Sequence, residues 1–280
     1  MANNAVNRLP VAFIGHGSPM NALEENRYTH AWRQFGRSLG KPRAILVVSA
    51  HWYIRGTKVT AMKQPRTIHD FGGFPPALFE FRYPAPGDPE LADHVRELLQ
   101  PLNVELDHSW GLDHGTWSVL AHVFPEADVP VVQLSIDRTQ LAPFHYELGK
   151  RLGALRDEGI LVIGSGNIVH NLALLRFDPQ AAPPDWAVRF NDQLRDHVLR
   201  RDHQPLIHVE QFGQPARLAV PTPDHYLPLL YILGQQHGDD SVQFLVDGIE
   251  LGAAGMLTVG IGLHQPLQMH TAGSQAGARS

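Results

Sequence analysis

Apolar residues along this chain fall into short continuous runs that alternate with stripes of 3.6-residue period. The runs are Val11–Ile14, Ala44–Val48, Val59–Met62, Val131–Ile136, Ile160–Ile163, Val242–Val246 and Leu257–Ile261. They are apolar on both parities, as expected of strands covered on both faces; a half-exposed strand would alternate apolar with polar. Between them, Phe144, Leu148, Leu152 and Leu155 make one helical stripe, and Trp186, Phe190, Leu194 and Val198 another. Asp185, after Pro183-Pro184, is expected to cap the second helix. The alternation predicts an α/β fold: a central mixed, largely parallel sheet flanked by helices, with its site at the C-terminal ends of the strands.

Two proline-rich stretches, Gln64–Pro89 and Gln204–Pro223, are too long for simple turns and read as structured surface loops that could cover a site. There is no internal repeat and no low-complexity linker. A single domain over residues 1–267 is expected, followed by a small, polar, disordered tail over 268–280.

Composition narrows the chemistry. With 280 residues and a hydrophobic fraction of 43%, the chain can bury a sizeable core. The net charge of -5, without any run of Lys or Arg, argues against a nucleic-acid partner. No apolar run approaches the roughly 18 residues of a membrane helix, and MANNAVNRLP carries no signal core. A cytoplasmic protein with small-molecule partners and no membrane partner is expected; the sequence does not speak to oligomeric state. The absence of cysteine excludes disulfides, thiolate zinc sites, iron–sulfur clusters and thiol nucleophiles. With 17 histidines, a metal site here would use imidazole and carboxylate.

Three histidines sit just past predicted strands: His16 in Gly15-His16-Gly17-Ser18-Pro19, His51 in Ser49-Ala50-His51-Trp52, and His170 in Ser165-Gly166-Asn167-Ile168-Val169-His170. Strand ends are where open α/β sheets place ligands, so the three could converge on one ion; each alone reads equally as a hydrogen-bonded loop residue. His225, in Thr222-Pro223-Asp224-His225, is expected in the first turn of a helix, where the dipole favours the neutral ring. His114, between Asp113 and Gly115, is either an acid–base or hydrogen-bonding group, or a packed histidine satisfied by Asp113. The run from Ile68 to Tyr83, rich in aromatics and glycine, either walls an aromatic pocket or forms a satellite cluster. There is no HExxH, no P-loop, no complete dinucleotide fingerprint and no G-x-S-x-G.

These segments together resemble the class III extradiol ring-cleavage dioxygenases, most of all the group that opens DOPA. The resemblance runs over roughly residues 9–262. It is carried by Gly15-His16-Gly17-Ser18-Pro19-Met20, Ser49-Ala50-His51-Trp52, Ile68-His69-Asp70-Phe71-Gly72-Gly73-Phe74-Pro75, Asp113-His114-Gly115, Gln133-Leu134-Ser135-Ile136-Asp137, Ser165-Gly166-Asn167 and Thr222-Pro223-Asp224-His225-Tyr226-Leu227-Pro228, in family order. It implies metal ligation by His16, His51 and His225. His170 is then a fourth ligand in a zinc form or the acid–base residue in an iron form, and His114 is a second catalytic histidine near the substrate. It implies Fe(II) for activity, Zn(II) as another occupant of the isolated protein, and a catechol and O2 as reactants. Better-known relatives complete the site with Glu where this chain has His225, so the usual two-His-one-carboxylate site becomes all-histidine. Two other classes stay open: a zinc-dependent hydrolase using the same histidines, and a non-enzymatic binding protein on the same fold.

Overall fold

The structure, a computed structural model, describes residues 8–178 and 182–267. The tail expected over 268–280 lies outside the described residues. The strands are β1 (Val11–Gly15), β2 (Ala44–Ile54), β3 (Thr57–Thr60), β4 (Val104–Asp107), β5 (Val131–Asp137), β6 (Ile160–Gly166), β7 (Val242–Val246), β8 (Ile249–Glu250), β9 (Ala254–Gly255) and β10 (Thr258–Ile261). Eight form one sheet in the order β4-β3-β5-β2-β6-β1-β10-β7, and β8 pairs with β9 apart from it. The central pairs β5-β2, β2-β6 and β6-β1 are parallel, whereas β1-β10, β10-β7 and β3-β5 are antiparallel. The predicted mixed, largely parallel sheet is therefore present. The C-terminal ends of β1, β2 and β6 lie side by side on one edge.

The helices are α1 (Arg27–Ser38), α2 (Pro76–Glu80), α3 (Pro89–Leu98), α4 (His114–Val123), α5 (Ala142–Leu152), α6 (Asp185–Arg200), α7 (Gln204–Ile207), α8 (Gln214–Ala219) and α9 (Leu227–Leu233). They divide between the two faces of the sheet. Alternate strand residues show the division: Val11 and Phe13 pack with Leu148, Leu194 and Leu230, while Ala12 and Ile14 pack with Trp32, Phe35 and Trp117. A strand with apolar neighbours on both sides needs no polar parity, which is why the sequence runs were apolar throughout.

Several boundaries differ from the sequence reading. The helix after Pro183-Pro184 begins at Asp185 itself, with Pro184 at the cap position. Leu155 falls in a 3₁₀ turn that follows α5. The strand expected at Val59–Met62 is Thr57–Thr60. The stretch Gln204–Pro223 is largely short helix, because Pro205 and Pro215 stand in the first turns of α7 and α8 and start helices there. No helix of the described residues is long and apolar enough to cross a membrane.

Candidate metal centre

His16 directly follows the last residue of β1. His51 lies inside β2, not after it, where the register against β5 shifts between Val48 and Tyr53. Such a break re-aims side chains that a regular pleat would turn away. His225 sits in a turn before α9, not in the first turn as expected. That turn rests on the end of β6: the Asn167 amide donates to the His225 carbonyl at 2.9 Å. A Cβ at Gly166 would lie 2.2 Å from the same oxygen, so only glycine allows this approach.

These placements bring three rings together. Ring centroids of His16, His51 and His225 are separated by 5.0, 5.3 and 5.0 Å. One ligand atom from each lies within 4.8 Å of the others. The hydrogen bonds of the remaining nitrogens fix the tautomers. Ser165 Oγ gives its proton to the Gly115 carbonyl at 2.5 Å, so it accepts from His16 Nδ1 at 3.0 Å. Nδ1 of His51 lies 3.2 Å from the Asp70 carboxylate, and Nδ1 of His225 bonds to Asp224. An ionised carboxylate only accepts, so each ring carries its proton on Nδ1 and offers an Nε2 lone pair.

The Nε2 atoms of His16 and His51 stand 3.1 Å apart. Two lone pairs at that distance repel unless a cation lies between them. Two nitrogens each about 2.1 Å from one ion would be spaced by about 3.0–3.4 Å, so the donor set fits a metal ion. The outer partners Ser165, Asp70 and Asp224 are of the kind that orient metal-bound imidazoles.

Two more histidines flank this triad. His114 opens α4; its ring centroid is 3.8 Å from that of His51. Its Nδ1 and its backbone amide both donate to Asp70 Oδ1 at 3.0 Å. Asp70 therefore grips His51 and His114 together. Asp113, which the packed-histidine alternative paired with His114, instead caps α4 and binds Ser49 and Gln133. His170 lies flat on His225, with ring centroids 3.5 Å apart and planes 8° from parallel. It shares a ligand-atom group with Asp224 and His225, but that group does not include His16 or His51.

Burial sets the charge states. It pushes His16 well below the usual histidine pKa, and the neighbouring imidazoles push it further. His225 is lowered to about 3 by burial, against the pull of Asp224. Burial thus keeps this ring neutral, in a turn that precedes α9. His170 is lowered to about 4 and His114 is also lowered, burial leading in both. His51 goes the other way: burial lowers it, but Asp70, Asp113 and Asp224 outweigh that and raise it. Burial alone would raise Asp70 and Asp224, yet their histidine hydrogen bonds hold both well below the carboxylate range.

The aromatic loop packs against one of the two main core clusters and also stands beside the histidines. Phe71 meets His114 edge-on at 5.5 Å and also contacts Phe74 at 5.3 Å and Trp117 at 6.0 Å. It walls the histidine cluster while packing on the core beneath. Sequence reasoning missed Asp70 and Ser165 as partners of the cluster, although both lie in the segments that carried the resemblance.

Comparison with known proteins agrees. Residues 10–261 match the family described as the catalytic LigB subunit of aromatic ring-opening dioxygenase. The chain is 50% identical over 260 residues to the 4,5-DOPA dioxygenase extradiol of Escherichia coli K12, covering 91% of this chain and 95% of that protein. It is 37% identical over 237 residues to the protein of the same name from Beta vulgaris, covering 79% and 85%. A crystal structure of an uncharacterized Escherichia coli K12 protein superposes with a TM-score of 0.81 at 45% identity, covering 91% of this chain and 100% of that one. A parallel-edge histidine cluster on this fold, and a family match over almost the whole sheet, together make the chain a member of the LigB family, the extradiol ring-cleaving dioxygenases.

Proposed function

We propose that this enzyme opens a catechol ring of DOPA type with O2 at one metal ion held by His16, His51 and His225. The observation that carries the reading is the set of three Nε2 lone pairs turned inward by Ser165, Asp70 and Asp224. Relatives named 4,5-DOPA dioxygenase extradiol supply the substrate class. The reading takes residues 1–267 as one catalytic domain acting in the cytoplasm.

Fe(II) bound there would supply redox contact between an aromatic diol and O2, which Zn(II) lacks. The protein's own groups handle the protons. His170 is neutral at pH 7, because burial lowers it to about 4, and it can take the proton that a diol hydroxyl gives up. It returns that proton later as a general acid. His114, with Nδ1–H held by Asp70, presents Nε2 as an acceptor for a second hydroxyl proton. Phe71 offers an aromatic edge to the substrate ring and helps exclude water. Both oxygen atoms end in a ring-opened semialdehyde acid.

A hydrolase that used a carboxylate base would need that group free beside the ion. Asp70 and Asp224 are both tied to imidazole rings, and Asp113 is buried in its own network. The test is oxygen uptake after anaerobic loading. Fe(II)-loaded protein should consume O2 with a catechol and give a coloured product, zinc-loaded protein should not, and His170→Ala should cut turnover by about 100-fold. An iron-loaded sample inert toward a broad catechol panel overturns the reading.

A further inference from the structure

Beside the histidine cluster lies a buried carboxylate that the proposed chemistry does not use. Asp113 and its partners Ser49, Thr116 and Gln133 are wholly buried. The Ser49 hydroxyl accepts the His51 amide N–H at 3.3 Å and donates to Asp113 Oδ1 at 2.7 Å. The Thr116 amide donates to the same oxygen at 3.2 Å. Gln133 Oε1 accepts from the Thr116 hydroxyl at 2.9 Å and from the Asp113 amide at 3.4 Å, so its Nε2 is the end that donates to Asp113 Oδ2. This arrangement satisfies every member only if Asp113 is an ionised carboxylate, because an acid proton there would meet another N–H or O–H.

No charged donor balances this anion. All three donors are neutral, and Asp113 forms no ion pair among the described residues. A carboxylate sealed among neutral groups is costly to bury unless a cation stands near it. The place for one lies across Gly115. A Cβ on that glycine would sit 2.9 Å from His51 Cδ2, 3.4 Å from Asp113 Oδ1 and 2.6 Å from Ser49 Oγ. Ring edge and carboxylate therefore face each other over a gap that holds nothing larger than glycine. Cδ2 is bonded to Nε2, so the facing edge is the one that carries the metal-binding nitrogen. The charge reaches the ring: burial lowers the His51 pKa, and the Asp70 hydrogen bond and then the Asp113 charge raise it.

We infer that Asp113 is a fixed countercharge for a metal ion at His16, His51 and His225, a positioning residue that acts across Gly115 with no hydrogen bond to any imidazole. The inference rests on the metal reading above but not on the choice of substrate. Three neutral imidazoles bring no negative charge to an ion, whereas a carboxylate ligand would. Asp113 supplies negative charge from outside the ligand set and so uses no coordination position. In a dry interior such a charge acts over several ångströms with little screening. It strengthens the hold on a divalent ion, and it favours trivalent over divalent iron, because the attraction grows with the charge of the ion. Asp70 and Asp224 also bring charge, but through Nδ1–H bonds that orient the rings. At Asp113 the charge can be changed without releasing a ring.

Two variants separate charge from hydrogen bonding. Asp113→Asn removes the charge and keeps a side chain that can cap α4. Asp113→Asn combined with Gln133→Glu exchanges amide and carboxylate, so every hydrogen bond has a donor and an acceptor, but the anion is displaced beyond Oδ2, away from the oxygen that faces His51. In Asp113→Asn, Zn(II) affinity, measured by chelator competition, should fall about 10- to 100-fold. The preference for Fe(III) over Fe(II) should fall about 10- to 100-fold as well, read in an anaerobic redox titration as a potential raised by about 60–120 mV. The double variant should melt like the parent yet keep part of the potential shift. A parent-like affinity and potential in Asp113→Asn overturn the inference, and so does a shift that the double variant abolishes altogether, since hydrogen bonding would then account for it. Should the single variant not fold, the double variant decides by the same readout. If the parent binds no metal, the metal reading fails and this inference with it. If it binds metal but turns over no catechol, the ring-opening reading fails and the potentials still decide.

Discussion

At the scale of single residues, Asp70 ties two roles together, since one carboxylate orients both His51 and His114. Asp70→Asn keeps the shape but gives one ring an N–H where it needs an acceptor. Metal affinity should fall about 10- to 100-fold, measured by competition with a chromophoric chelator. Unchanged affinity would show that Asp70 does not orient the ligand. The sequence hid this pairing because Asp70 and His114 are 44 positions apart, while Asp113 sits next door. Adjacency misleads at a helix start: the cap residue turns its side chain back to the helix amides, and its neighbour points elsewhere. His16 and His51 were legible because predicted strands end beside them, and His225 because helix-capping residues precede it. Their partners were not, because hydrogen-bond geometry has no spacing rule across distant loops.

At the scale of elements, the site depends on how closely the turn carrying His225 sits on β6. Gly166→Ala would drive a methyl group against the His225 carbonyl, 2.2 Å from the new carbon. The turn must shift, at a cost of about 1–3 kcal/mol in stability. Thermal melts should show that loss, and the variant should retain less metal after dialysis than the parent. Equal retention would mean that the turn position is not what sets the third ligand. The strands on both sides of the cluster were readable from apolar runs. β4 was not, because Val-Glu-Leu-Asp at the sheet edge has only two apolar residues. α7 and α8 were missed because their prolines read as breakers, whereas in a first turn proline starts a helix.

At the scale of the whole molecule, buried histidines tie stability to pH. His145 lies wholly inside the fold, away from the metal centre, and bonds to the Tyr231 hydroxyl at 2.9 Å. Burial lowers it from 6.5 to about 4. Above pH 6.5 it is neutral in both folded and unfolded chains and costs nothing. Between pH 6.5 and 4 the unfolded chain takes up a proton that the folded one refuses, so stability falls, by about 3 kcal/mol in all from this residue. Below pH 4 it adds no further loss. Denaturant titrations across that window should show a shallower decline in His145→Leu; an identical slope would remove His145 from the account. The fold itself was visible in the sequence, since α/β alternation with strands apolar on both parities admits few other layer arrangements. The most direct test of the central claim is X-ray absorption by zinc-loaded protein, together with metal stoichiometry. The account predicts one ion per chain with at least three imidazole nitrogens at about 2.0–2.1 Å, and loss of that signal when His16, His51 and His225 are replaced by Ala. A shell dominated by oxygen, or the same spectrum in the triple variant, would contradict it.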